Sequence, residues 1–529
     1  MRYPAASVVE CVVRGCIYMQ ENLVCWSLSC SAKVRLRAVL SASLPAVLAA
    51  CTVGPSYHAP AAPAVRSYTA APVASTIPAA SSVSVPAAAA QKLNYGANPN
   101  PTWWKNFGSP GLDELVLQAL AHNPDLAAAQ ATLQEAQYDL IAAKGVFYPQ
   151  ASLGLGGERT RSSGAASGGV AGPRVYSLYT GQVSVSYYPD VFGLNRLVSR
   201  SQEAQVDIAR DQLRAARLTI EGNVVNTALD LAAVEEELAA TRTTVADQQQ
   251  ILTLVRTQYR LGSESQFDVL TQESQLASSQ ARLPVLEQTR DAARHLLSTY
   301  LGRFPAAAGA SSTPVLAQLH LPVVLPVSLP STLVRERPDI LAAEAQLRAA
   351  NARVGEDVAR MYPNLQLTGA FGGQSNIASS LFNPASSMWD LAANLVLPLF
   401  EGGTLEAQKH SAQAAYRAVF ANYQTTVLGA FRNVADVLRA LQHDSVLLDA
   451  QARAMQSAHQ AFDLVRTQYQ AGAVTYLSLL TSETQYENTR IVFVQAEAQR
   501  YADTTALYVA LGGGEWRSPP APQNDAVTR

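Results

Sequence analysis

The chain repeats itself once, and that repetition limits what it can fold into. Val255-Arg256-Thr257-Gln258-Tyr259 returns as Val465-Arg466-Thr467-Gln468-Tyr469, an offset of 210, and the same offset relates Gly262 to Gly472 and Leu301-Gly302 to Leu511-Gly512. Further upstream, Pro124-Asp125-Leu126 pairs with Pro338-Asp339-Ile340 and Tyr148-Pro149 with Tyr362-Pro363, both at an offset of 214. A period this long lies outside the roughly 20–50 residues of solenoids and propellers. The chain is therefore read as a duplicated unit: residues 111–302 form the first copy, 303–330 a proline-rich linker, 331–514 the second copy, and 515–529 a C-terminal tail.

Each copy follows the same plan. A first helix is expected over 111–145 and again over 331–360. Asn123-Pro124-Asp125 and Arg337-Pro338-Asp339 suit helix starts or restarts, because Pro and Asp are favoured in a first helical turn. Two segments of period-two alternation follow and read as strands: 151–155 and 182–187 in the first copy, 365–368 and 391–397 in the second. The Gly/Ser-rich stretches 156–172 and 372–387 are the expected hairpin loops. Proline-free stretches then run over 193–261 and 403–471, each of 69 residues. As helix, each would span about 100 Å at about 1.5 Å per residue. Their lower halves carry a seven-residue spacing, at Leu231, Leu238, Val245, Leu252 and Tyr259, and at Leu441, Leu448, Met455, Phe462 and Tyr469. Such spacing favours left-handed supercoiling against a neighbour. Gly262 and Gly472 break these helices, and return helices are predicted over 264–301 and 474–511.

All five cysteines (Cys11, Cys16, Cys25, Cys30 and Cys51) lie in the first 51 residues, so the body has no disulfide framework or cysteine-ligated metal. Lys33, Arg35 and Arg37 precede the moderately apolar run 38–50, the order of a secretory signal peptide. It ends Leu48-Ala49-Ala50-Cys51, which resembles a bacterial lipobox, with Cys51 as the lipidated residue. Thr52 replaces the Asp that commonly retains lipoproteins in the inner membrane. The alternative is a plain signal peptide that happens to contain a cysteine. Residues 1–32 fit no signal pattern, and translation is expected to start near Val34. Residues 1–50 are thus assigned to upstream sequence and signal peptide, and 51–110 to a lipidated N-terminal tether whose Pro/Ala/Ser-rich part is read as extended.

The chain is only 15% charged, yet beyond residue 51 no run approaches the ~18–20 apolar residues of a membrane helix. A helical transporter is excluded. A net charge of −2 gives no electrostatic reason to expect nucleic acid. Four strands cannot close a barrel, and an open sheet edge in lipid leaves backbone groups unpaired. A β-spanning protein of this kind must pool chains, and three chains would supply twelve strands, within the usual range. The predicted fold class is mainly α with a small β part: a duplicated strand hairpin plus long helical hairpin, assembled as a trimeric 12-stranded β-barrel on a periplasmic α-helical barrel.

Read together, these features resemble the TolC/OprM-type outer membrane factors, in their efflux lipoprotein branch. The resemblance is carried by Cys51-Thr52-Val53-Gly54-Pro55-Ser56-Tyr57, Trp103-Trp104 with Phe107, and Asn123-Pro124-Asp125-Leu126. It continues in Leu329-Pro330-Ser331, Glu336-Arg337-Pro338-Asp339-Ile340 with Ala343-Glu344, and Leu397-Pro398-Leu399-Phe400-Glu401-Gly402-Gly403. The resemblance implies a homotrimeric passive exit duct for drugs or other small molecules. The duct would dock a periplasmic adaptor and an inner-membrane pump, the proton-driven RND type being expected, and would carry no cofactor beyond a lipid on Cys51. It also implies that the turns at Gly262 and Gly472 are the tips adaptors grip, flanked by Arg256 and Tyr259 and by Arg466 and Tyr469. The two tyrosines read equally as the last core layer of the heptad. The family narrows its tip just after the second turn. Leu477 matches the apolar position there, but the acidic position is Thr481, and Ser478 stands where some members carry another acid. Asp268 and Glu483 are the nearest acidic alternatives, unless both simply face solvent.

Three rivals remain. An enzyme is disfavoured, since His58, His122, His295, His320, His410, His443 and His459 show no metal-ligand spacing and the glycines around 154–169 form no phosphate loop. A structural coiled-coil lipoprotein explains the heptads but not the paired strands. A type I secretion duct stays within the family, but the lipobox and the Leu-Pro-Ser and Arg-Pro-Asp signatures resemble the efflux branch.

Overall fold

The computed structural model describes residues 53–514 apart from 72, 75, 79, 81, 83, 164–173 and 308–313. Cys51, the signal sequence and the 515–529 tail lie outside the described residues. In each copy the expected first helix is two helices: α1 (Pro110–His122) and α2 (Pro124–Lys144), then α5 (Pro330–Glu336) and α6 (Pro338–Ala359). The break follows from the proline, which disfavours helical backbone at the residue before it. Asn123 and Arg337 are both extended, at ψ 125° and 123°. Each also fastens the far end of its own copy. Asn123 accepts from the backbone N–H of Asp125 and Leu126 and donates to the Tyr300 carbonyl at 3.0 Å. Arg337 donates to Asp339 and to the Ala510 carbonyl at 2.9 Å. Tyr300 and Ala510 are themselves 210 apart, so two different side chains perform one repeated task. The approach is close: a Cβ on Gly302 would lie 2.3 Å from the His122 carbonyl oxygen.

The long helices are α3 (Leu194–Leu261, 68 residues) and α7 (Thr404–Gln470, 67 residues), returning as α4 (Gln266–Tyr300) and α8 (Tyr476–Ala510). Each long helix ends in the same way. The N–H of Ser263 reaches the Gln258 carbonyl and that of Gly262 reaches Tyr259; Ala473 and Gly472 repeat this on Gln468 and Tyr469. This pattern requires left-handed backbone at the glycine, and Gly262 and Gly472 have φ of 80° and 73°.

The strands are longer than the alternation predicted. β3 (Gln150–Ser162), β4 (Arg174–Tyr187), β6 (Asn364–Ser375) and β7 (Ser387–Val396) form one antiparallel sheet in the order β3-β4-β6-β7. Residues 156–162 and 372–375, expected in loops, are strand. Glycine weakens the sequence signal without breaking the ladder, because neighbours cover it: a Cβ on Gly157 would meet the Tyr179 ring at 3.4 Å, across the pair Gly157–Tyr179.

The described part of the 51–110 region, from Val53 on, is docked along the body as well as extended. β1 (Thr76–Ile77) and β2 (Gln91–Tyr95) join β5 (Val324–Val327), which lies in the linker, in a small sheet ordered β1-β2-β5. Trp103, Trp104 and Phe107 are buried beside it, with Trp103 stacked on Tyr508 at 5.2 Å. Arg500, fully buried on α8, donates to the carbonyls of Ala87, Ala89 and Leu441 at 3.4, 3.2 and 3.1 Å. One guanidinium thus pins the N-terminal segment between α7 and α8. Replacing it leaves the Ala87 and Ala89 carbonyls without this donor, while the Leu441 carbonyl keeps its place in the α7 ladder, so Arg500→Leu is expected to cost on the order of 3 kcal/mol. Thermal denaturation would show the loss, and limited proteolysis should cleave faster within residues 53–95.

Candidate functional site at the strands and the helical tips

The four-stranded sheet has two unlike faces. Pairing keeps odd residues against odd across all three ladders. The odd face carries Leu153, Leu155, Val183, Val185, Leu367, Phe371, Trp389, Leu391 and Leu395; the even face carries Gln150, Ser152, Gln182, Ser184, Gln366, Thr368, Gln374 and Asn394. Leu153, Leu155, Phe371, Trp389, Leu391 and Leu395 are between 67% and 81% exposed. A sheet that holds its large apolar groups outward, opposite a polar face, is built to stand between hydrocarbon and water, which is the alternation of a transmembrane β-barrel. Among the described residues no helix is long and apolar enough to cross a membrane. The membrane contact therefore falls to these strands.

At the opposite end of the long helices, the two turns share one apolar cluster. Val255 of α3, Val269 of α4, Phe462 and Tyr469 of α7, and Tyr476 and Leu479 of α8 are buried together. The paired site residues are not equivalent within it. Tyr469 is 1% exposed and meets Tyr476 edge-on at 6.3 Å, whereas its repeat partner Tyr259 is 45% exposed. Burial, and after it the facing Glu264 carboxylate, push the Tyr469 phenol up. Arg256 crosses from α3 to Glu273 of α4 at 2.7 Å; Arg466 crosses from α7 to Gln250 of α3 at 3.3 Å. The first ties its own hairpin and the second ties the two hairpins together.

Asp268 closes a capping box with Ser265, accepting from the Ser265 N–H at 3.1 Å while its own N–H reaches Ser265 Oγ at 3.2 Å. The Ser265 hydroxyl, which also donates to the carboxylate, and after it the Ser265 N–H hold the Asp268 carboxyl below the usual range. Leu477 is exposed, and Thr481, four residues on and so on the same face of α8, donates back to the Leu477 carbonyl at 2.8 Å. Glu483 does not face solvent. It is 2% exposed, close to Gln248 of α3. Sequence reasoning missed the buried polar group around it, made of Gln248, Gln272, Tyr476 and Glu487. The signal was present in the spacing. Glu483 lies seven residues after Tyr476, and Gln248 lies seven before Val255, so both occupy core positions of the heptad.

Among the described residues no group of three or more His, Cys, Asp or Glu side chains could hold a metal ion. The model of the outer membrane efflux protein family matches residues 115–303 and 329–513, one match to each copy. A pyoverdine export outer membrane protein, OpmQ, of Pseudomonas putida is 32% identical over 426 residues, covering 80% of this chain and 90% of its own. The cation efflux system protein CusC of Escherichia coli K12 is 29% identical over 472 residues, covering 88% and 97%. The solved structure of the outer-membrane channel OprN superposes with a TM-score of 0.78 at 25% identity, covering 88% of this chain and 99% of that one. With the outward apolar sheet, the paired helical hairpins and a family match on both copies, the chain belongs to the outer membrane efflux protein family and serves as an outer-membrane efflux channel component with its helical part in the periplasm.

Proposed function

We propose that this channel is a homotrimeric, passive exit duct for drugs or other small molecules. A periplasmic adaptor would grip it at the Gly262 and Gly472 turns, and an inner-membrane pump of the proton-driven RND class would feed it. A diacylglycerol on Cys51 would add an outer-membrane anchor. The observation that carries the reading is the sheet with an outward apolar face and two open edges, β3 and β7. In hydrocarbon such edges must be paired, and a neighbouring copy of the same sheet supplies the partner. The generic, charge-poor walls carry no chemistry of their own, so selection falls to pump and adaptor. The test is a deletion strain screened for susceptibility to toxic compounds. Restored susceptibility differences on complementation support the duct; an unchanged profile for every compound and exported product would remove the efflux reading.

The duplication fixes the register expected between copies. The hairpin pairs Gln150–Ser186 and Asn364–Val396 relate β3 to β6 by 214 and β4 to β7 by 210. Applying the same shifts to the pair Val185–Gly369 of β4 and β6 places Leu395 opposite Leu155 of the neighbouring protomer. The double variant Leu155→Cys, Leu395→Cys should give a covalent trimer on oxidation, read on a denaturing gel. A Leu155→Cys, Ser387→Cys pair, far out of register, should stay monomeric.

The gate predicts a second outcome. Thr481 occupies the position at which a tip ring would carry acids, beside exposed Leu477. Thr481→Asp would add one negative charge per protomer to that ring, and should raise cation selectivity in planar bilayers. An unchanged reversal potential would place Thr481 away from the conduction path.

A further inference from the structure

About three to four turns from the two tips, a polar group is enclosed between the hairpins. Gln248 of α3 donates through Nε2 to Glu487 Oε1 of α8 at 2.7 Å, and its own Oε1 accepts nothing. Tyr476 of α8 donates to Gln272 Oε1 of α4 at 2.7 Å, and Gln272 in turn reaches the Gln248 carbonyl at 3.5 Å. Glu483, one turn before Glu487 on the same face of α8, has two buried carboxyl oxygens that make no hydrogen bond among the described residues. Gln248 and Gln272 are fully buried, and Glu483 and Glu487 are 2% and 6% exposed. The unmet groups are therefore all acceptors: Gln248 Oε1 and both oxygens of Glu483. Burying an acceptor-only set is costly unless donors are supplied. The cavity beside Glu487, lined by Thr241, Ser279, Arg282 and Arg490 among others, is about 10 Å³. That is room for no more than about one water, so a hydrated cation does not fit.

We propose that the Glu483–Glu487 pair is a proton-binding latch between the two helical hairpins, closed when the carboxyls are neutral and loosened when they ionise. A neutral carboxylic acid supplies the missing O–H donor to this acceptor-only set; two carboxylates one helical turn apart repel each other and must draw water in between α3 and α8. The charged groups around the pair favour the same direction. On α3, Asp247 opposes ionisation of Glu483; the Gln248 amide of α3 beside both carboxyls, Arg466 of α7 beside Glu483 and Arg282 of α4 beside Glu487 favour ionisation but are outweighed by burial. Tyr476 of α8 faces Glu483 as a neutral phenol. Burial pushes Glu483 up to about 8 and Glu487 to about 7. Both values lie above the 4.5 of the unfolded chain, so the stability that the neutral pair contributes is complete below about pH 4.5, and the latch itself opens as pH rises through about 7 to 8. The latch concerns the packing of the hairpins and does not require the tips to be a gate; if they are one, the exterior acid–base state biases it.

All native cysteines lie in the first 51 residues, so Gln249→Cys on α3 and Asn488→Cys on α8, both exposed, offer a spin-label pair beside the latch in the full chain. Single-cysteine versions subtract labelling elsewhere. The distance distribution should be narrow near about pH 5 and broader and longer near about pH 9. In the Glu483→Gln, Glu487→Gln background, which keeps shape and removes titration, it should stay the same at both. A response that persists in the glutamine variant overturns the proposal, and so does a parent profile that does not change with pH. If the double variant fails to assemble, the parent profile and Glu483→Gln alone decide: the latch requires the parent to respond and the single variant to respond less. Because the readout is distance rather than transport, its failure leaves the efflux duct untouched, and a failed susceptibility screen leaves the latch untouched.

Discussion

The backbone edges of β3 and β7 are the constraint on which the rest of the architecture hangs. Each presents a row of N–H and C=O groups that its own sheet does not pair. In hydrocarbon every such group costs several kcal/mol. The odd-numbered face of the same sheet is apolar and exposed, so the sheet belongs in that environment and cannot leave its edges open there. A closed ring of identical sheets resolves both problems at once. It also dictates the helices, because each strand pair feeds a helix through a glycine corner, Gly193 before α3 and Gly403 before α7, both with left-handed φ. The number of strands in the ring therefore sets the number of helices beneath it.

A ring of long helices needs a brace, since four helical segments per chain with modest apolar stripes would otherwise slide. The brace is the belt formed by the N-terminal segment and the linker. It joins residues far apart in sequence: Arg500 holds Ala87 and Ala89, Gln91 reaches the Pro322 carbonyl, and Tyr501 donates to the Leu319 carbonyl. These bonds run to backbone carbonyls, so they fix chain paths with little dependence on the neighbouring side chains. Higher up, the N–H of Val53 meets the Phe192 carbonyl at the corner before α3 and Asn351 donates to Pro55. The segment is thus held at the strand end, against α6, and again midway along α7 where Arg500 of α8 meets the Leu441 carbonyl.

What was legible in the sequence is what recurs with a short period. The heptads, the terminal glycines and the alternation of Gln182–Tyr187 each encode local geometry, and α3, α7 and β4 appear where those patterns place them. Strand length was illegible because glycines 156 and 157 erase the alternation that an Ala or Leu would have shown, while the partner strand still pairs with them. The belt was illegible for another reason. Its Pro/Ala/Ser composition is that of a free tether, and only contacts such as Arg500 with Ala87, 413 residues apart, turn it into structure. At the tips, the glycine turns were readable but the inequality of the two tyrosines was not, because it arises from which hairpin lies against Tyr469 and not from either copy's own sequence.

That inequality extends to the buried acids, and it argues against reading the duplication as simple sixfold symmetry. At the offset of 210, Glu483 corresponds to Glu273, Glu487 to Ala277, Gln248 to Ala458 and Gln272 to Ser482. Glu273 is half-exposed and neutralised by Arg256, and Ala458 is an ordinary buried small residue. Among the described residues the polar group therefore forms where α8 meets α3 and α4 of the same chain. The matching junction, where α7 and its return helix would meet the first hairpin of a neighbour, lacks it. In a ring of three chains the helical junctions would alternate between one kind that carries the buried acid pair and another whose equivalent positions, Glu273, Ala277, Ala458 and Ser482, do not form it. Two chemically different seams give such a tube a way to part along every second junction while the others hold, which a sixfold-equivalent tube could not do.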